Sequence, residues 1–110
     1  MNITIRTAAR EDILRQFAYY LDEKGAPRTA RRFLDAAESA IEKLRSMPDM
    51  GAPREFQNPN LKGLRSWHVP GFPDMRIYYL HREHEVRVLR VLHGKRDIQS
   101  ILEEGSEDER

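Results

Sequence analysis

Hydrophobic and polar residues follow two different periods along this chain. Near the N-terminus, the stretch "NITIR" places Ile3 and Ile5 on one side and polar residues on the other. This alternation predicts a short, half-buried β-strand. Residues 7–46 instead carry apolar side chains at intervals of three and four, which predicts amphipathic helices. The apolar positions form two groups, first Ile13, Leu14, Phe17, Ala18 and Leu21, then Ala30, Phe33, Leu34, Ala37, Ile41 and Leu44.

Capping and helix-breaking residues separate these two groups. Thr7 is expected to cap the first helix, and Glu11 and Asp12 follow where the helix dipole favours carboxylates. Gly25 should end that helix, and Pro27 suits the first turn of the next one. A loop this short between two amphipathic helices predicts an antiparallel helical hairpin.

After the hairpin, the period changes from helical to β. The second helix should end near Ser46, because Pro48 disfavours its continuation. Beyond an irregular connection rich in proline and glycine, three strands are predicted from "LRSWHV", "MRIYYLH" and "EVRVLRVLH". The last is apolar on both faces between Val86 and Leu92, so we expect a central strand covered on both sides. "RDIQSILEE" predicts a short C-terminal helix.

The order of these elements predicts an α+β fold. A mostly antiparallel sheet of about four strands, including the N-terminal one, should carry the helical hairpin on one face. The 110 residues suit a single domain, which we place at residues 1–103. The acidic residues 104–110 are expected to form a disordered tail. The chain has no cysteine and no apolar run of the ~20 residues that a membrane helix needs, so we expect a cytoplasmic protein without a membrane partner.

Charge is unevenly distributed along the chain. Residues 61–96 carry eight Lys and Arg against three Asp and Glu, and they contain all four histidines. A basic block of this kind suggests an acidic partner, either nucleic acid or an anionic protein. The same side chains could also simply solubilise the exposed face of a sheet. Composition alone leaves both interpretations open.

Three segments of the chain resemble the RelE/ParE superfamily of type II toxins, and more closely its ParE-like branch. They are "LRSMPDMGAPR" after the hairpin, "LRSWHVPGFPDMRIYYL" across two strands, and "VLRVLHGKRDI" at the end of the sheet. The resemblance covers nearly the whole chain and implies a RelE/ParE-like fold. It implies a toxin held inactive by a cognate ParD-like antitoxin, with oligomers formed only through that complex. ParE-like members poison DNA gyrase, whereas RelE-like members cleave messenger RNA on the ribosome.

The RelE-like alternative is a metal-independent endoribonuclease, and it requires a catalytic set. His93 could act as base or acid, because its unperturbed pKa suits proton transfer near neutral pH. Arg65 and Arg76 could hold phosphate in this alternative, and Tyr78 or Tyr79 could stack a base. However, Gly94 and a helix follow His93, where nuclease members often carry further catalytic side chains.

Our main interpretation is therefore a binding protein without catalytic residues. In it, His93, Gly94 and Asp97 form a structural corner, with Gly94 adopting a backbone conformation denied to larger residues. The expected contacts with partners come from five cations, Arg65, Arg76, Arg87, Lys95 and Arg96. His68, His81 and His84 show no metal-ligand spacing, and we expect neither metal nor cofactor. The alternatives are the nuclease and a family member that has lost its toxicity but still binds partners.

Overall fold

The fold consists of one five-stranded sheet with a helical hairpin on one face. The computed structural model describes residues 1–94, Ile98 and residues 100–102. Its elements are β1 (Asn2–Ile5), α1 (Thr7–Ala18), α2 (Pro27–Lys43), β2 (Ala52–Pro53), β3 (Leu64–Val69), β4 (Phe72–Arg82) and β5 (Glu85–His93). Ile98 and residues 100–102 are helical. The α+β architecture expected from the sequence is confirmed.

The strand order in the sheet is β1-β5-β4-β3-β2. The pairs β2–β3, β3–β4 and β4–β5 are antiparallel, whereas β1 runs parallel to β5. This places β1 and β2 at the two edges and gives β5 a central position, as expected. The sequence did not predict β2, because a strand of two residues containing Pro53 has no detectable alternation.

The sheet is buried on both faces, and each face has its own core. On one face, the strands pack against the hairpin through Ala9, Ile13, Phe33, Ala37, Ala40, Ile41, Leu44, Val69, Met75, Ile77, Tyr79, Val86, Val88 and Val91. On the other face, a second core contains Leu61, Leu64, Tyr78, Leu80, Leu89, Leu92, Ile98 and Leu102. Ile98 and Leu102 thus pack on the sheet face that the hairpin leaves open.

The hairpin differs from its expected form in two details, its N-terminal cap and the end of α1, whereas its stop at Gly25 is as expected. Thr7 does not cap α1; it is the first helical residue, and the capping position is Arg6, whose side chain makes no capping hydrogen bond. α1 ends at Ala18 and continues as a π-helical turn over Tyr19–Glu23. Gly25 ends the turn with φ at 58°, a left-handed conformation that glycine adopts without strain.

The apolar stripe predicted on α1 is only partly buried. Ile13 packs into the core with 8% of its surface exposed, whereas Leu14 is 60% exposed and Leu21 is 41% exposed. α2, by contrast, buries its predicted stripe through Ala30, Phe33, Ala37, Ile41 and Leu44. Leu14 of α1 and Leu21 of the π-helical turn therefore present apolar side chains to solvent in the described part of the structure.

Candidate functional site

An open groove lies between β1 and the two helices. Its volume is about 410 Å³, and we call it the edge groove. β1 supplies one side and the hairpin supplies the other. Six apolar side chains line it, Ile3, Ile5, Ile13, Leu14, Leu34 and Ile41. An apolar, open groove of this kind is typical of a surface that binds another protein chain.

Four charged side chains also line the edge groove. Glu42 and Arg45 form an ion pair at 2.8 Å, and this hydrogen bond lowers the pKa of the Glu42 carboxyl below its usual value. Arg45 also donates to the Met1 carbonyl oxygen at 2.9 Å, which holds the start of β1 against α2. Arg10 and Glu38 line the groove as well, and among the described residues neither side chain has an ion-pair partner. Within the described part of the chain, the groove therefore offers one cation and one carboxylate without an ion-pair partner.

Arg65 lies away from the edge groove and holds the connection between α2 and β2. Its guanidinium donates to the carbonyl oxygens of Asp49 at 3.1 Å and Gly51 at 2.7 Å. The buried Tyr79 hydroxyl holds the same connection, donating to Pro48 O at 2.8 Å and accepting from Gly51 N–H at 2.9 Å. Burial is the main cause that raises the pKa of this tyrosine. The contacts of Arg65 are thus structural.

Arg76 and Arg87 lie on the face of the sheet opposite the hairpin. Arg76 pairs with Leu92 in the β4–β5 register, and Leu92 belongs to the second core. Arg87 lies between Val86 and Val88 on β5, and since their side chains enter the hairpin-side core, its side chain points to the other face. It forms an ion pair with Glu85. Neither arginine lines the edge groove. The basic block of the sequence is therefore divided between separate surfaces.

His93 ends β5 on the hairpin side of the sheet. It lines a small cavity of about 70 Å³ together with Asp12, Arg15 and Gln16 of α1. Gly94 follows, and its N–H donates to Asp74 O at 2.7 Å, which closes the corner between β5 and the start of β4. The remaining corner residue, Asp97, and the expected partner contacts Lys95 and Arg96 lie outside the described residues.

The expectation of a special backbone conformation at Gly94 is wrong. Positive φ angles among the described residues occur only at Gly25, Gly63 and Gly71. A Cβ atom at Gly94 would meet Asp74 O at 3.5 Å and Arg76 Cγ at 3.6 Å, which are ordinary van der Waals distances. Gly94 itself is not left-handed, so a glycine is not required at this position for its conformational freedom.

The residues proposed for a nuclease are not brought together. Arg65 of β3 pairs with Tyr79 of β4, and His93 of β5 pairs with Met75 of β4. Tyr79 and Met75 are four positions apart and β3 and β5 lie on opposite sides of β4, so the Cα atoms of Arg65 and His93 are about 16 Å apart. Arg76 extends from the sheet face opposite to that of His93. Among the described residues there is also no group of three His, Cys, Asp or Glu side chains that could hold a metal ion.

Asp12 has a structural role that was not predicted from the sequence. We placed it at the helix start for the dipole, but its side chain is almost fully buried against β5. It accepts from Arg90 Nε at 2.7 Å and Nη2 at 2.8 Å, and from Val91 N–H at 2.9 Å. The hydrogen bonds that Arg90 donates to Asp12 are the main cause that raises the pKa of Arg90. One signal was available: Asp12 lies on the same helix face as Ala9 and Ile13.

Asp12 completes the sheet where β1 ends. β1 pairs with β5 only as far as Val88, so on the β1 side of β5 no strand is available to accept from the N–H of Val91. A β-bulge lies in the same region, because Tyr78 pairs with Arg90 and Tyr79 pairs with Val88, leaving Leu89 without a partner. The carboxylate therefore takes the place of a strand carbonyl and also binds Arg90.

A membrane-spanning role finds no support in the described helices, none of which combines the required length and apolar character.

Comparison with known proteins identifies relatives of this chain. A family model described as "ParE toxin of type II toxin-antitoxin system, parDE" matches residues 3–98. A search of curated proteins found no match. Among solved structures, the chromosomal ParDE system from P. aeruginosa is similar, with a TM-score of 0.68 at 18% identity over 84% of this chain and 95% of that one.

Two further solved structures share the fold. A copper-bound mutant toxin from Helicobacter pylori has a TM-score of 0.56 at 16% identity, covering 84% of this chain and 93% of that one. The YoeB/ParE toxin from Agrobacterium tumefaciens has a TM-score of 0.54 at 14% identity, covering 84% and 98%. At these identities, the structural likeness establishes a common fold.

Proposed function

This chain belongs to the ParE toxin family of type II toxin–antitoxin systems, and from that premise we propose that it is a cytoplasmic toxin that inhibits DNA gyrase by binding it. The family match confirms the resemblance seen in the sequence. The proposal goes further in naming the target and in assigning inhibition to binding rather than to catalysis.

The separation of Arg65, Arg76 and His93 is the observation that supports binding over cleavage. A ribonuclease that cuts through the 2′-hydroxyl needs a base, an acid and cations around one phosphate. Here Arg65 is engaged in holding residues 49–51, and Arg76 and His93 are on opposite faces of the sheet. No single phosphate could contact all three side chains in this arrangement.

We propose that the cognate antitoxin neutralises the toxin by docking in the edge groove. The support is the combination of apolar lining with the unpaired charges of Arg10 and Glu38. Acidic antitoxin residues would then meet Arg10 rather than Arg65, Arg76 or Arg87. Arg76 and Arg87 remain proposed partner contacts, on the opposite face of the sheet, and so do Lys95 and Arg96.

The test of this function has a cellular and a biochemical arm. Expression of the toxin alone should arrest growth with DNA breaks, an SOS response and filamentation, and co-expression of the neighbouring gene should restore growth. Purified toxin incubated with gyrase and supercoiled plasmid should yield cleaved plasmid or loss of supercoiling activity. The same preparation added to translating ribosomes should leave transcripts intact.

A variant lacking the histidine provides the control for the nuclease alternative. His93→Ala should retain gyrase inhibition, since no catalytic step depends on His93 in the proposed mechanism. Intact gyrase activity, together with transcript cleavage that His93→Ala abolishes, would replace the proposal with the ribosomal nuclease. Normal growth with abundant folded toxin would support the third alternative, a family member without toxicity.

A further inference from the structure

The edge strand β1 has one free side. Asn2 N–H donates to His84 O and Arg6 N–H donates to Val88 O, each at 3.0 Å, so even-numbered residues of β1 direct their backbone groups toward β5. Backbone groups alternate in direction along a strand, so those of Ile3 and Ile5 point away from the sheet. In the part of the chain that the structure describes, none of these outward N–H and C=O groups has a hydrogen-bond partner.

The edge groove includes the residues of β1 whose backbone groups point outward. The side chains of Ile3 and Ile5 form part of its lining, and Leu34 and Ile41 of α2 lie across from them. The hydrogen bond from Arg45 to Met1 O holds the strand in place at its N-terminal end. An occupant of the groove would therefore contact apolar side chains and unpaired backbone groups together.

This combination determines the conformation of the occupant. A helix lying against β1 would remove the outward backbone groups of Ile3 and Ile5 from water without pairing them, which is costly. An extended segment would pair with the same groups in a ladder and direct every second side chain into the groove. Resting on the proposed toxin function, we propose that the antitoxin docks by adding a β-strand to the free edge of β1.

The charges at the groove define the docking segment further. It should carry apolar residues at alternate positions, a carboxylate that meets Arg10 and an amine or guanidinium that meets Glu38. The Glu42–Arg45 pair is already satisfied and needs no partner. A segment with mixed charge thus fits this groove better than a uniformly acidic one.

Backbone pairing can be measured directly by amide hydrogen exchange. The toxin is co-purified with the protein encoded by the neighbouring reading frame, and residue-resolved exchange is recorded by NMR for the toxin alone and in the complex. The outward amides of Ile3 and Ile5 should exchange at least about tenfold more slowly in the complex than in the free toxin. The amides of Asn2 and Thr4 should already be protected in the free toxin and change less.

A matched pair of variants separates backbone from side-chain contacts. Ile3→Pro removes an outward N–H that bonds to no described residue, and proline is tolerated at the open side of an edge strand. Ile3→Ala shortens the side chain but keeps that N–H. The proline variant should bind the antitoxin at least about tenfold more weakly than the alanine variant. Melting curves of both free variants show whether the fold is retained.

Three results would overturn strand addition, and each of them points to a different alternative. Unchanged exchange at Ile3 and Ile5 in a tight complex would show a docking mode without backbone pairing, while the toxin function stands. Protection in the toxin alone that rises with its concentration would assign the edge to a second copy of this chain. Absence of both binding and growth arrest would refute the proposed function itself, and strand addition with it.

Discussion

At the scale of single residues, the contact between Asp12 and β5 has the greatest consequence for the fold. The Asp12 carboxylate is nearly inaccessible to water, whereas the Arg90 side chain retains 20% of its exposure. A buried carboxylate is stable only when donors surround it, and here the donors are Arg90 and Val91 N–H. This contact fixes the position of α1 on the sheet.

Removing the charge of Asp12 should therefore lower the stability of the fold considerably. Asp12→Asn keeps the shape of the side chain but leaves Arg90 and Val91 N–H poorly paired, so the free energy of unfolding should fall by about 3 kcal/mol. Urea denaturation of the wild type and the variant measures this difference. The control is Arg15→Met, because Arg15 is 65% exposed and lies 3.4 Å from Asp12. Its loss should cost under about 0.5 kcal/mol. Equal costs for the two variants would contradict this role of Asp12.

At the scale of elements, α1 has two apolar sides with different roles. Its inner side packs Ala9 and Ile13 against the sheet, and its outer side presents Leu14 to solvent, followed by the exposed Leu21 of the π-helical turn. A helix hydrophobic on both sides normally contacts another element on each. In this fold, the inner contact is the hairpin-side core, and the proposed docking mode places the antitoxin at the outer contact near Leu14.

Two neighbouring substitutions distinguish these sides. Ile13→Ser should lower the free energy of unfolding by about 3 kcal/mol, because it places a hydroxyl in the core. Leu14→Ser should change it by less than about 0.5 kcal/mol, because this side chain is mostly exposed. Calorimetric titration should nevertheless show antitoxin binding weakened at least about tenfold by Leu14→Ser. If Leu14→Ser binds the antitoxin as tightly as the wild type does, Leu14 is not part of the docking surface.

At the scale of the whole molecule, the two cores share one sheet and should unfold together. β4 contributes Ile77 and Tyr79 to one core, and Tyr78 and Leu80 to the other. Disruption of either core therefore acts on the same strand. A domain of this size with such sharing is expected to show a single cooperative transition.

Substitution in the second core tests this coupling. Leu92→Ala should lower stability by about 3 kcal/mol, although Leu92 lies on the sheet face opposite the hairpin. The single tryptophan, Trp67, packs against the hairpin-side core, so its fluorescence reports on that face. In a urea titration of Leu92→Ala, tryptophan fluorescence and far-UV circular dichroism should shift to one common lower midpoint. Separate midpoints for the two signals would mean that the faces unfold independently.

The amino-acid sequence by itself determined the hairpin, strands β1 and β3 to β5, the α+β class and the family. These features depend on hydrophobic period, proline and glycine positions, and three local segments, all of which are readable within a short stretch of chain. For the same reason the stop at Gly25 was predictable, since a left-handed residue at a helix end is a local requirement.

Only the tertiary structure decided which of these residues meet. The pairing of Asp12 with Arg90 joins positions 78 residues apart, and no local pattern specifies a partner at that separation. Strand β2 exists because β3 offers it an edge, and the edge groove exists because α2 crosses beside β1. The same reason separates Arg65 from His93: both lie in the basic block of the sequence, but strand register places them on distant parts of the sheet.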